Sequence, residues 1–284
     1  MRLHAYVLLG DPTFLRASIL SYYDQVDRIV LSFDESSTSW TGTRLPVERC
    51  LEIVHALDVD GKCVSLPGRY DTHRQAPMRG ETEQRQAALD AASDGADWVL
   101  QLDTDEVTPT PARLIRSLVQ AQASDAQGLD YPSRWLYSRV APGRYLERTN
   151  RWWQVAASYP GPIAVRSGTR LRYARQIDGP LHRVDVRSRN TDPWRARNAR
   201  VDEVVGVDDA ILHFAWVRAA DVMERKLRWS GHAKQLADPS HYGLWLRRTR
   251  HPLATAAGTP FRREDWYRVT RVQEPPGGDP AVER

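Results

Sequence analysis

Strand-like apolar runs alternate with helix-patterned segments four times in roughly the first 125 residues, and this constrains the 284-residue chain more than anything else in it. The runs are Leu3 to Leu9, Arg28 to Phe33, Lys62 to Leu66 and Asp97 to Leu102. They are short and nearly continuous in apolar residues, the pattern of strands covered on both faces. Phe14, Leu15, Ser18, Ile19, Tyr22 and Tyr23 recur at helical spacing after Gly10-Asp11-Pro12, where Asp11 reads as a cap and Pro12 as a first-turn residue. Pro46 opens a second helix through Leu57, Glu81 to Ser93 forms a third and Pro109 to Ala123 a fourth. This order predicts a mostly parallel sheet with helices on both faces. Ligands then belong at the carboxyl ends of the strands. Gly10-Asp11, Asp34-Glu35 and Asp103-Thr104-Asp105 all fall on that edge.

The last of these ends the run Trp98-Val99-Leu100-Gln101-Leu102-Asp103-Thr104-Asp105-Glu106. Strand alternation puts Asp103 and Asp105 on one side, so both can face one cation. Paired carboxylates with waters and phosphate oxygens suit Mg²⁺ or Mn²⁺, which prefer hard oxygen ligands. A second acidic pair, Asp58-Val59-Asp60, precedes Gly61 and reads as a solvated turn.

Positive charge is almost all arginine, since lysine occurs only at Lys62, Lys226 and Lys234, and the net charge is +4. No block of like charges marks a nucleic-acid partner. No apolar run approaches the ~20 residues that span a bilayer, and the N-terminus has no signal-peptide layout, so the expected location is cytoplasmic. Cys50 and Cys63 read as buried free thiols. Residues 130–190 lose helical periodicity and are rich in Tyr, Trp and Arg, which predicts mixed strands and long loops. Trp135, Tyr137, Trp152 and Trp153 there offer aromatic faces to sugar C–H groups, or core packing. Ala210 to Ala215 reads as a buried strand carrying His213, and Ala219 to Leu236 as a strong helix.

Two segments then resemble family 2 glycosyltransferases with the GT-A fold. Arg28 to Thr41, with Asp34-Glu35-Ser36-Ser37-Thr38, is similar to that family's acidic nucleotide loop. The helix carrying Arg85-Gln86, followed by Trp98 to Glu106, is similar to the helix before its Asp-x-Asp motif. Gly179-Pro180-Leu181-His182 and Ile211 to Arg218, then Lys226 and Arg228, resemble a subgroup with a later His-containing strand. Three departures stand out: Gly10-Asp11 replaces the usual Asn-Glu, Glu35 replaces an Asp, and Arg183 replaces the glutamate expected after His182.

The resemblance implies a GT-A-type, Rossmann-like α/β fold with a C-terminal helical extension. Residues 1–218 would form the transferase domain, with 1–125 its nucleotide-binding half and 126–218 its acceptor half. Residues 219–273 would be a helical subdomain and 274–284 a disordered tail. The implied activity is metal-dependent transfer of a sugar, with inversion, from a nucleoside-diphosphate sugar to an acceptor hydroxyl. The acceptor class is a sugar, a lipid-linked molecule or a natural product, and the oligomeric state is open between monomer and homodimer. Leu9, Gly10, Asp34, Glu35, Arg85 and Asp103 would bind the donor, and Asp103, Asp105 and His213 would hold Mg²⁺ or Mn²⁺. Asp178, His182 and Glu106 are the catalytic candidates, with Asp178 as base because it adjoins the Gly-x-Leu-His segment.

Two rival readings remain. A nucleotidyltransferase on a sugar phosphate shares the sheet and acidic edge, but wants a Gly-rich basic loop after the first strand, which Leu9-Gly10-Asp11-Pro12 is not. A non-catalytic basic protein holding polysaccharide or nucleic acid would use the Arg/Trp-rich half.

Overall fold

A computed structural model describes residues 1–71, 76–193, 195–196 and 198–273, so the tail expected at 274–284 lies outside the described residues. The fold is mixed α/β, with a large, mostly parallel sheet flanked by helices. Its first half is built from β1 (Leu3–Leu8), α1 (Leu15–Leu20), β2 (Arg28–Asp34), α2 (Val47–His55), β3 (Cys63–Gly68), α3 (Pro77–Ser93), β4 (Trp98–Gln101), β5 (Glu106–Val107) and α4 (Pro111–Ala123). The second half adds β6 (Gly128–Asp130), β7 (Ser133–Ala141), β8 (Arg144–Thr149), β9 (Ala164–Arg166), β10 (Leu181–Asp185), β11 (Glu203–Val204) and β12 (Ile211–His213). Helices α5 (Ala220–Trp229), α6 (Pro239–Arg250) and α7 (Pro252–Ala257) and strand β13 (Trp266–Arg271) follow.

The eight-stranded sheet runs β11-β10-β6-β9-β4-β1-β2-β3. β1 lies parallel between β2 and β4, so the strand order reverses there. Such a reversal opens a crevice at the carboxyl ends. Side-chain alternation explains the two core layers. Leu3, Ala5 and Val7 point to the face packed by Leu15, Ile19, Cys50, Val54, Leu114 and Leu118 of α1, α2 and α4. Tyr6, Val30 and Val99 point to the other face, against Ala88, Leu89 and Ala92 of α3. The small alanines let α3 approach the sheet closely, and each fully buried aliphatic side chain contributes about 1.5–3 kcal/mol. Cys50 is buried and Cys63 half-buried, and both are free thiols.

A second, five-stranded sheet runs β13-β8-β7-β12-β5. Here the structure departs from the expected layout. Residues 219–273 are not wholly helical, because β13 pairs antiparallel with β8 from Trp266↔Thr149 to Arg271↔Arg144. Nor does the expected helix reach Leu236, since α5 ends at Trp229. Asp11 does not cap α1. Its carboxylate accepts the Thr13 backbone N–H at 3.0 Å and the helix begins only at Leu15.

Asp103, Thr104 and Asp105 do not extend a strand either. They form the turn between β4 and β5, and β5 belongs to the second sheet through the register His213↔Glu106. Strand alternation therefore does not govern Asp103 and Asp105. No helix among the described residues is long and apolar enough to cross a membrane.

Candidate functional site

A cavity of about 460 Å³ opens at the carboxyl ends of β1, β2 and β4. One wall is Leu8 to Asp11, Asp34 and Thr38 to Trp40; α3 contributes Glu81, Gln84 and Arg85. The floor is Asp103, Thr104, Asp105 and His213, and the segment Met223 to Leu236 closes the far side with Lys226, Trp229 and His232. Trp40 and Trp229 both line it and lie beside each other, with ring centroids 6.4 Å apart and planes tilted by 49°. The Trp40 indole N–H is fixed by donating to Gln84 Oε1 at 2.8 Å. The turn after α5 packs hard on α3: a Cβ on Gly231 would lie 1.9 Å from Glu81 Oε2. A larger residue there would push the Glu81 carboxylate off its bond to Arg85.

Asp105 is the centre of the floor and only 4% exposed. Its Oδ2 accepts from Lys226 Nζ at 2.6 Å and from Arg218 Nη2 at 2.7 Å. Its Oδ1 lies 3.3 Å from His213 Nε2. Arg218 also donates from Nε to Asp11 Oδ2 at 2.7 Å, and so ties the β1 end to the β4–β5 turn. Asp103 Oδ1 accepts from Arg85 Nη2 at 2.7 Å, while Arg85 Nε donates to Glu81 Oε1 at 3.0 Å. Beneath the floor, Glu106 is bidentate with Arg175, at 2.6 and 2.5 Å. Its Oε2 also accepts the Asp103 backbone N–H at 3.0 Å. Gly161 makes room for that arginine, since a Cβ there would lie 2.8 Å from Arg175 Cγ.

Burial acts to raise the Asp105 carboxyl, but Lys226, His213 and Arg218 hold it well below the usual carboxylate range. Against the same burial, Arg85 and Arg175 lower Asp103, and Arg218 and Lys226 lower Asp11. Folded values below the unfolded ones mean that the unfolded chain binds more protons. The stability these groups contribute is therefore complete above their unfolded values, near pH 4, and is lost as pH falls through the folded ones. The urea midpoint is expected to hold down to about pH 5 and to fall steeply below about pH 4, less steeply in Asp105→Asn. A wild-type midpoint that stays level through this acid range contradicts the assignment.

The structure brings Leu9, Gly10, Asp34, Arg85, Asp103, Asp105 and His213 to this one cavity. It does not bring the others. Glu35 turns outward and pairs with Arg69. Asp178, with 75% of its side chain exposed, pairs with Arg172 outside the cavity, so it is not placed to act as a base there. His182 lies on β10, with Nε2 3.6 Å from Glu203, also away from the cavity. Arg183, where a glutamate was expected, is a buried partner of Asp130 at 2.8 Å. Glu106 has no exposed surface and serves Arg175 rather than a substrate. Trp135 lines the cavity and Tyr137 stacks on Trp216, whereas Trp152 is 67% exposed elsewhere.

A divalent cation does not fit the floor as it stands. Both Asp105 oxygens are held by cationic or imidazole groups, and the described residues contain no group of three or more His, Cys, Asp or Glu side chains placed to hold one ion. Asp103, Asp105 and His213, expected to hold Mg²⁺ or Mn²⁺, thus do not by themselves form a three-ligand cluster. Trp40, Trp229, Arg175 and Arg218 had been given no role from sequence. The one signal for Trp40 was a lone tryptophan inside a Ser/Thr/Gly loop.

No family model matches this chain. No curated protein matches it either. Among solved structures, it is similar to a 4-diphosphocytidyl-2C-methyl-D-erythritol synthase from Anaerococcus prevotii (TM-score 0.34, 11% identity, 58% of this chain and 71% of that one). It is also similar to a mannose-6-phosphate isomerase from Helicobacter pylori (TM-score 0.29, 12% identity, 50% and 53%). A third is a mannose-1-phosphate geranyltransferase from Thermus thermophilus (TM-score 0.26, 11% identity, 60% and 51%). Likenesses of this size concern the α/β architecture alone.

Proposed function

We propose that the chain is a transferase acting on a nucleoside-diphosphate sugar, and that it moves the sugar to an acceptor hydroxyl. The observation that carries this is the division of one cavity into two chemistries. The Trp40–Trp229 pair beside Gly10 offers apolar faces for a base, and Asp34, which already accepts from the Ser36 and Tyr70 N–H groups and the Thr38 hydroxyl, lines the same cavity. Arg85 and Lys226 offer cations to the same cavity. In the reaction the anomeric C–O bond breaks and its electron pair leaves on the diphosphate. The acceptor oxygen bonds to the anomeric carbon and its proton passes to solvent, since none of Asp178, His182 and Glu106 lines the cavity to take it. Charge developing on the diphosphate is the main electrostatic demand.

A second reading is nucleotidyl transfer from a nucleoside triphosphate to a sugar phosphate. One observation favours it. The loop after β1 has no basic residue of its own, but α5 sets Lys226 beside Asp105 and the segment before α5 sets Arg218 against Asp11, so cations do reach that edge.

Phosphorus NMR separates the two. Purified protein is incubated with UDP-, GDP-, dTDP- and CDP-linked hexoses, and separately with nucleoside triphosphates plus hexose 1-phosphates. Glycosyl transfer releases a nucleoside diphosphate and no pyrophosphate, which is the expected result. Pyrophosphate release from a triphosphate would establish the second reading. Turnover of neither set would return the chain to the non-catalytic reading.

A further inference from the structure

We infer that Lys226, together with Arg85, neutralises the donor diphosphate, so that nucleotide binding at this site needs no divalent cation; the inference rests on the donor reading above. Three observations support it. The carboxylate that would ligate a metal is already satisfied, because Lys226, Arg218 and His213 take up Asp105. A cation at Asp105 would have to displace an ammonium and a buried guanidinium from it.

Next, the cations have donors to spare. Lys226 Nζ has three N–H groups, and its bonds to Asp105 Oδ2 (2.6 Å) and the Ala215 carbonyl (3.1 Å) use two of them. Its side chain is 20% exposed and lines the cavity. Arg218 beside it is fully enclosed and spent on Asp11, Asp105 and two backbone carbonyls, so Lys226 is the member of that pair a ligand can reach.

The third observation is an orphaned donor. Arg85 lines the cavity; its Nη1 is buried without completing a hydrogen bond, the Tyr6 hydroxyl being the polar group beside the guanidinium, while Nε and Nη2 are locked by Glu81 and Asp103. A buried guanidinium N–H left unpaired is costly, and an anionic oxygen is the partner that satisfies it best. Lys226 and Arg85 thus approach the Asp103–Asp105 turn from α5 and α3. A diphosphate spanning the turn would meet a fixed N–H from one and a mobile ammonium from the other.

The test is calorimetric titration of UDP, GDP, dTDP and CDP, and their monophosphates, into the protein in EDTA and again in Mg²⁺. At least one diphosphate is expected to bind in EDTA within about threefold of its affinity in Mg²⁺, and about tenfold or more tighter than its monophosphate. Lys226→Met should erase most of that preference while changing monophosphate affinity by no more than about twofold, and Lys226→Arg should restore it. A general structural role for Lys226 would weaken both nucleotides alike and would overturn the proposal. Electron paramagnetic resonance of Mn²⁺ titrated into nucleotide-free protein is expected to show only weak, unsaturable binding. Diphosphate binding that appears only with Mg²⁺, or saturable Mn²⁺ binding lost in Asp105→Asn, would overturn the proposal and leave the donor reading standing. Binding of no diphosphate in either buffer would remove the donor reading, and the proposal with it.

Discussion

Glu106→Ala is expected to lower the unfolding free energy by about 3–5 kcal/mol, a loss on the order of 10 °C in Tm. Glu106 has no exposed surface and its fork-to-fork pairing neutralises Arg175, whose side chain is 2% exposed. Removing the acid strands a guanidinium in the interior and frees the Asp103 backbone N–H that Glu106 also accepts. Arg175 also donates to the Gln101 carbonyl at 2.7 Å, and Gln101 returns a bond to the Arg175 carbonyl at 3.0 Å. Burial of the whole pair is itself costly, so replacing both members with apolar residues, Glu106→Leu with Arg175→Met, should cost less than either single change. Urea unfolding of the singles and the double measures this coupling. A Glu106→Ala protein within about 1 kcal/mol of wild type would show that the pair carries no such weight.

Asp105→Ala is expected to be comparably severe, about 3–5 kcal/mol, and to weaken the diphosphate preference as well. Lys226 and Arg218 would then face each other with Asp11 as their remaining counter-charge, and the ammonium would no longer be held at the cavity floor. Lys226→Met removes the more exposed cation and leaves Asp105 bound to Arg218, so it should keep most of the stability while losing the diphosphate preference. Urea midpoints and calorimetry on the two variants give the comparison. Equal destabilisation by both would mean that Lys226 is a structural counter-ion and little else.

The strands that build the cavity were legible because a strand covered on both faces has no solvent side to signal with polar residues. β1, β2 and β4 are therefore apolar runs that stop at Gly10-Asp11, Asp34-Glu35 and Asp103. Amphipathic helices such as α2 and α4 announced themselves by spacing. The two-residue strand β5 did not, since Glu106-Val107 has no period to read and exists only through pairing with β12. Treating Asp103 and Asp105 as alternate residues of one strand led to the metal reading, and the turn between β4 and β5 removes that premise. The ion pairs that decide the chemistry were out of reach for another reason. Arg175 finds Glu106 from 69 residues away and Arg218 finds Asp105 from 113, and no local pattern marks which of many arginines will be buried. Arg218 and Lys226 lay inside a segment singled out by resemblance, but their role follows only from the closure of α5 over the sheet edge.

The most direct test of the central claim, that the cavity at the β1–β4 reversal is a nucleoside-diphosphate site, is hydrogen–deuterium exchange with and without saturating UDP, GDP, dTDP or CDP. One nucleotide is expected to slow exchange in peptides covering residues 8–11, 34–45 and 215–236, the walls of that cavity. Protection confined to other segments, such as 150–155 and 187–191 around the smaller surface pocket, would contradict it.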